Sequence, residues 1–447
     1  MSHNLNSIPR INELLGEPDN RKEVAKSLNL KYNVWKHKNG ETYHILKYDK
    51  KSLTPETIGS VGLLRSLIFK DDGKIVSFAP PKSLNINDLI TINANDIIET
   101  KEEKKYVFEE FVEGTMINVF YEEATSNWEI ATRSNVGGTM CFFMENGFKE
   151  ENTFKYMFDE ACQSIGFDMN VLDKKYSYSF VLQHPRNRIV KPITEMKLYL
   201  VEVYQIECMK IHVIDINNNL EQFGIPVNTV SLVNNQPVHT DDELNGCKQS
   251  MLSGQTPYDV VGVVIKNDSG ERYKIRNPTY EYVRHLRGNQ PKLQYQYIHL
   301  RQSGEMSVYL QYYPEHKIAF NEFRNTIHTY TSELFNNYIR CYMKKEKKLT
   351  DFPEKFRTHM YSLHHEVYKK TLKPINSYVN KDVVKHYFNG LHPSKQMFVL
   401  NYDHRKKEDV KTIGFEESKD ESIVEPIVEP LVDATMNDVV VADEIVA

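Results

Sequence analysis

The chain has 447 residues, 40% hydrophobic and 11% aromatic, which is enough for two or three domains that each bury a core. Its formal charge of −5 is unevenly spread: residues 416–447 carry ten acids and one lysine, a net −9, and −5 less −9 leaves +4 for residues 1–415. A mildly basic body with an acidic tail suits contact with nucleic acid. Five widely spaced cysteines without a Cys-x-x-Cys pair argue for a reducing compartment and against a structural zinc site. No apolar run approaches the ~18 residues of a membrane span, and the first residues lack a secretory core. The expected location is therefore cytoplasmic, nuclear or, for a viral protein, a viral factory.

Residues 1–60 read as a mixed leading segment, with helices over 9–15 and 21–27. A hairpin follows over 32–35 and 42–46, turning at Asn39-Gly40. A second hairpin spans 63–69 and 74–78, turns at Asp71-Asp72-Gly73, and closes on Pro80-Pro81-Lys82-Ser83-Leu84-Asn85. Strands are expected at 106–108 and 116–121, on either side of Glu109-Glu110-Phe111-Val112-Glu113-Gly114-Thr115. An acid, a glycine and a small hydroxyl at such a turn let the backbone approach whatever lies in an adjoining groove.

Residues 128–138 read as a strand and a glycine loop, and 142–165 have helical spacing. The run from Tyr176 alternates as a strand, breaks at His184-Pro185 and resumes through Arg188-Ile189-Val190. Further strands are expected at 197–205, 258–266 and 272–276. Beyond Asn277 the spacing becomes helical, with Phe320, Phe323, Ile327 and Leu334 on one series and Phe356, Met360 and Leu363 on the next. Breaks fall at Pro374 and Pro393. Lys344-Lys345-Glu346-Lys347-Lys348 reads as a solvated helix end whose cations complement the helix dipole. His359, His364 and His365 lack metal-ligand spacing. The tail repeats Ile/Leu-Val-Glu-Pro and is too acidic to fold alone.

Five of these segments resemble, in order and spacing, the motifs of the covalent nucleotidyltransferases, and of T4-type RNA ligases in particular. Phe111-x-Glu113-Gly114 followed by Thr115 is similar to Lys-x-Asp/Glu-Gly, with Phe111 where the nucleophilic lysine stands. Arg65-Ser66 and Lys82-Ser83-Leu84-Asn85 resemble the Arg-Gly strand and Lys-Phe-Phe-Asn segment upstream of it. Thr132-Arg133-Ser134 resembles a basic segment that reaches into the nucleotide groove. Pro185-x-Asn187-Arg188-Ile189-Val190 matches the third motif position for position, except that its glutamate becomes Val181. Val261-Gly262-x-Val264-x-Lys266 resembles Glu-Gly-x-Val-x-Lys, again with the glutamate lost. Lys274-x-Arg276 matches Lys-x-Lys/Arg.

The resemblance implies an α+β fold: an ATP-grasp-like nucleotidyltransferase domain with antiparallel sheets around a groove, then an all-helical C-terminal domain. The implied boundaries are 1–60 and 61–285 for the nucleotidyltransferase part, 290–405 for the helical domain and 410–447 for the acidic tail. It implies a nucleotide- or phosphate-binding set of Arg65, Lys82, Glu113, Gly114, Arg133, Arg188, Lys266, Lys274 and Arg276. ATP is the implied nucleotide, without tightly bound Mg²⁺, because a phenylalanine offers no nucleophile and valines no oxygen ligands. Three functions follow: a pseudoenzyme that binds nucleotide or single-stranded RNA without a lysyl-nucleotide intermediate; an active RNA ligase using Lys104 or Lys105; or a structural subunit keeping only the fold. Protein partners could dock on the helical domain or the tail, and no membrane partner is expected.

Overall fold

Period-two alternation of apolar residues sets the sheets, and the helices lie on their greasy faces. The computed structural model describes residues 2–16, 18–37, 40–85, 106–142, 149–216, 227–230, 241–267 and 271–405. The chain divides into two units, Met1–Arg287 and Gly288–Ala447. None of the described helices is long and apolar enough to cross a membrane.

In the first unit the strands run in chain order as β1 (Ser2–Asn4), β2 (Leu30–Lys36), β3 (Thr42–Tyr48), β4 (Leu67–Lys70), β5 (Ile75–Phe78) and β6 (Leu84–Asn85). They continue as β7 (Tyr106–Glu110), β8 (Thr115–Glu122), β9 (Asn127–Ala131), β10 (Tyr176–Gln183) and β11 (Lys197–Glu207). The last four are β12 (Lys210–Ile214), β13 (Asn228–Thr229), β14 (Gly262–Asn267) and β15 (Arg272–Arg276). They form three sheets: β1-β12-β11-β10-β8-β9 with β13 beside β11, β6-β15-β14-β7, and β2-β3-β4-β5. Pairing is antiparallel except where β13 meets β11 and β6 meets β15.

The apolar faces of the sheets gather in separate clusters. Tyr178, Phe180 and Leu182 of β10 join Ile117 and Val119 of β8 under Met157, Phe158 and Ala161 of the helix Phe154–Ser164. Leu46, Leu67, Phe69 and Phe78 pack on Leu14, Leu15 and Val24 of the leading helices. Tyr106, Phe108, Val263, Ile265, Tyr273 and Ile275 gather around Leu244.

The second unit is helical, as the spacing beyond Asn277 predicts. Its helices are Leu293–Ser303, Met306–Tyr312, Lys317–Tyr338, Glu354–Ser362, Lys381–Asn389 and Pro393–Leu400. Tyr330 binds them together, its ring 5.0 Å from both Phe356 and Phe388. The lysine-rich run follows the last turn after Ile339–Met343, where Glu346 pairs with Arg340 at 2.7 Å.

Several expected elements shift, each for a local reason. The first helix starts at Ile11 rather than residue 9, because Arg10 has φ 55°. The strand expected from residue 63 begins at Leu67, since Val61–Leu63 forms a 3₁₀ turn. Of the helix expected over 142–165, residues 143–148 lie outside the described residues, and the described part is Phe154–Ser164, where the Thr153 hydroxyl caps the Tyr156 N–H at 3.3 Å. After His184-Pro185 no strand resumes. The Val190 N–H is taken by a side chain instead of a ladder partner. Asn39 and the acidic tail lie outside the described residues.

Gly262 has φ 143°, and a Cβ there would sit 2.0 Å from the Ile275 carbonyl oxygen. Gly262→Ala must therefore push β14 from β15, and a urea melt should lose about 2 kcal/mol or more. An alanine variant as stable as the parent would contradict this pairing.

Candidate functional site

The site begins with three strands that share one face. β14 pairs with β15 so that Gly262, Val264 and Lys266 oppose Arg276, Lys274 and Arg272, while Val264 and Lys266 oppose Glu109 and Val107 of β7. The Phe111 N–H continues this ladder to the Gly262 carbonyl at 3.1 Å. Alternation then sends Tyr273 and Ile275 into the core and turns Arg272, Lys274 and Arg276 the other way. With no side chain at Gly262, the Arg276 guanidinium lies over the Phe111 ring, 5.3 Å from its centroid.

Two lysines on this face have opposite fates. Lys266 is clamped between Glu109 at 3.0 Å and Glu202 at 2.8 Å. Burial would lower its pKa, but the two carboxylates outweigh burial and raise it. Burial likewise would raise Glu202, yet Lys266 and Arg272 hold it below the usual range. Lys274 has no such partner. Burial, with Arg276, Lys82 and Lys50 nearby, pushes its ammonium down to about 7. The opposing acid, Glu281, is already bonded to Arg276.

The 111–114 turn is fastened to the end of β10 and to the loop beyond it. The buried Glu113 carboxylate accepts the Val190 and Lys191 N–H groups, each at 3.1 Å to one oxygen. Burial raises its pKa, partly offset by those N–H groups, the Tyr280 hydroxyl and Arg188. Gln183 donates to the Glu113 carbonyl and Asn187 to the Thr115 hydroxyl, both at 2.8 Å. Gly114 has φ 152° and leaves no room for a Cβ, which would lie 2.5 Å from the Leu182 carbonyl oxygen.

The structure brings Lys82, Lys274 and Arg276 together, and Lys82 also donates to the Ser83 carbonyl at 2.7 Å. Arg65 and Arg133 form a second group with Arg272; Arg133 donates to the Arg65 carbonyl at 3.2 Å and lies over the Tyr48 ring at 4.9 Å. Burial, with Arg272 and Arg133 nearby, lowers the Arg65 pKa. Arg188 folds back onto the Val190 carbonyl at 3.0 Å. Val181 packs with Val112 and Val201 in a small apolar cluster on the face of β10 away from the helix. Val261 is buried beside β14, its carbonyl accepting the Asn277 N–H at 3.0 Å. Neither valine offers oxygen to a cation. Among the described residues no group of three or more His, Cys, Asp or Glu is placed to hold a metal. Lys104 and Lys105 lie outside the described residues.

Sequence reasoning passed over Glu202, Tyr280, Arg272 and Lys50. Glu202 carried a signal, as an acid between Val201 and Val203 in an apolar strand. Tyr280 and Lys50 carried none, because only tertiary folding brings them to the turn and to Lys274.

Similarity to known proteins is distant. No family model matches the chain. The immediate-early protein ICP-46 homolog of Invertebrate iridescent virus 3 is 22% identical over 250 residues, covering 53% of this chain and 49% of that protein. The immediate-early protein ICP-46 of Frog virus 3 (isolate Goorha) is 24% identical over 303 residues, covering 63% of this chain and 69% of that protein. The chain thus spans about half the length of the first of these relatives. Among solved structures, a protein described as an ATP-dependent DNA ligase from Aquifex aeolicus superimposes with TM-score 0.38 at 15% identity, over 71% of this chain and 81% of that one. An archaeal ATP-dependent RNA ligase gives 0.39 at 13%, over 71% and 73%. A Naegleria gruberi RNA ligase mutant with AMP and Mn gives 0.32 at 9%, over 59% and 82%. Superpositions this loose carry no functional weight.

Lys266→Met would strand Glu109 and Glu202 as unpaired, largely buried carboxylates. It should cost about 3 kcal/mol or more in a denaturant titration. A loss below about 1 kcal/mol would show that the three charges do not form one unit.

Proposed function

We propose that the first unit is an RNA-ligase-like groove that binds a nucleotide or the phosphates of a single-stranded RNA end without forming a lysyl-nucleotide intermediate. One observation carries the reading: the position resembling the nucleophile is a phenylalanine under Arg276, beside a cluster in which Lys82, Lys274 and Arg276 converge around the buried Lys274 ammonium. Cations gathered in one place favour an anion, and a guanidinium and two ammonium groups suit phosphate oxygens. Val181 within an apolar cluster supports the same conclusion, since Mg²⁺ takes oxygen ligands and finds none there. ATP fits as the nucleotide held by those cations, with Mg²⁺ not tightly bound by the protein itself. The site of action we propose is the cytoplasm or a viral factory, in keeping with the viral relatives.

Lys274 gives this groove a pH dependence whose sign is fixed. Its folded pKa of about 7 lies below the ordinary lysine value, so the free groove loses this charge as pH rises through about 7. A bound phosphate favours the charged amine, so binding takes up a proton and strengthens on acidification. Fluorescence anisotropy with labelled single-stranded RNA should show affinity rising up to about tenfold from pH 8 to pH 6. Lys274→Gln should abolish that part of the change, which separates it from titration of the RNA itself. An unchanged pH profile in Lys274→Gln, or no RNA or ATP binding by the parent, contradicts the proposal.

A further inference from the structure

We propose that the helical unit carries a second, separate phosphate-binding cleft, built by Arg301, Arg324 and Lys385. These side chains come from three helices, Leu293–Ser303, Lys317–Tyr338 and Lys381–Asn389, and meet around a cavity of about 270 Å³. His328, one turn beyond Arg324 on the same helix, adds a fourth nitrogen group to the wall, and Asn325, Ile327 and Thr331 complete the lining. No acid lines it. Asp382 pairs with Lys385 at 3.2 Å from the exposed rim, while no carboxylate pairs with Arg301 or Arg324 among the described residues.

Two buried donors lie behind the cleft wall. Arg301 Nη1 and the Tyr297 hydroxyl are both shut off from solvent without a hydrogen-bond partner. Arg301 and Arg324 are the charges that act on the Tyr297 phenol, so these groups share one neighbourhood. Two arginines, a lysine and a histidine around one cleft whose lining has no carboxylate call for an anion. Two guanidinium forks prefer a tetrahedral oxyanion with several oxygens to a lone carboxylate. The ligand is therefore a phosphate group, either free or within a polynucleotide backbone. This cleft stands whether or not the groove of the first unit binds RNA.

The test uses the full chain in two arms. One follows fluorescence anisotropy of a labelled, unstructured RNA 20-mer across a salt series; the other follows thermal stabilisation by inorganic pyrophosphate. Arg301→Gln/Arg324→Gln removes two contacts, so the slope of log K against log salt should fall by about 1.4 if the cleft takes RNA. Loss of pyrophosphate stabilisation with an unchanged RNA slope would instead assign a free phosphate, and both results support the cleft. Arg301→Lys/Arg324→Lys, which keeps the charge, should recover most of the effect and guards against simple misfolding. Lys82→Gln/Arg276→Gln should change RNA binding independently, so failure of the groove and failure of the cleft are told apart. The inference is overturned if the glutamine pair matches the parent in both arms, if the parent responds to neither probe, or if polyglutamate competes as well as pyrophosphate.

Discussion

Glu113 sits buried between two stretches of chain far apart in sequence, and its carboxylate takes the backbone N–H groups of Val190 and Lys191. A carboxylate in that position has lost its water, and the N–H groups, Tyr280 and Arg188 are what make its charge tolerable. The consequence reaches outward in both directions. On one side the loop after β10 is drawn off any strand ladder and onto the turn. On the other, Gly114 is pressed against Leu182, and Phe111 is held in register with Gly262. The groove has its shape because this one acid binds the turn of one sheet to the exit of another.

Charge is then distributed over that frame with a clear division. Lys266, two residues beyond Val264, is neutralised by Glu109 and Glu202 and serves to hold the sheets together. Lys274, directly across from Val264, is left among cations and loses affinity for its own proton. The same face therefore has one end where a lysine is clamped by two carboxylates and another where the Lys274 ammonium lies among further cations. Placing an ammonium beside Arg276 and Lys82 costs the fold stability, and that cost is what the proposed anion site rests on.

Much of this was legible before any coordinates. Strands declare themselves by alternation, so β8, β10, β14 and β15 fall where Ile117, Phe180, Val263 and Tyr273 place them, and the helical unit follows from three- and four-residue steps. The motif order picks out Arg65, Lys82, Arg133, Lys274 and Arg276 as one set, but not their division into one group around Lys274 and another around Arg65. What the sequence could not show were contacts made only by folding. Lys266 looks like Lys274 on paper, both basic residues in alternating strands, and only Glu202 from a distant strand separates their roles. Arg188 lies in the most specific motif, yet its side chain turns back to Val190. The strand expected after Pro185 failed because a tertiary hydrogen bond outbid local propensity.

The most direct test of the central claim is the mass of the denatured protein after incubation with ATP or GTP and Mg²⁺. Binding without covalent transfer predicts an unchanged mass under conditions where the native protein is saturated. A mass increase of one nucleotidyl group, lost in Lys104→Ala or Lys105→Ala, would show that the groove retains a nucleophile and that Phe111 does not mark its loss.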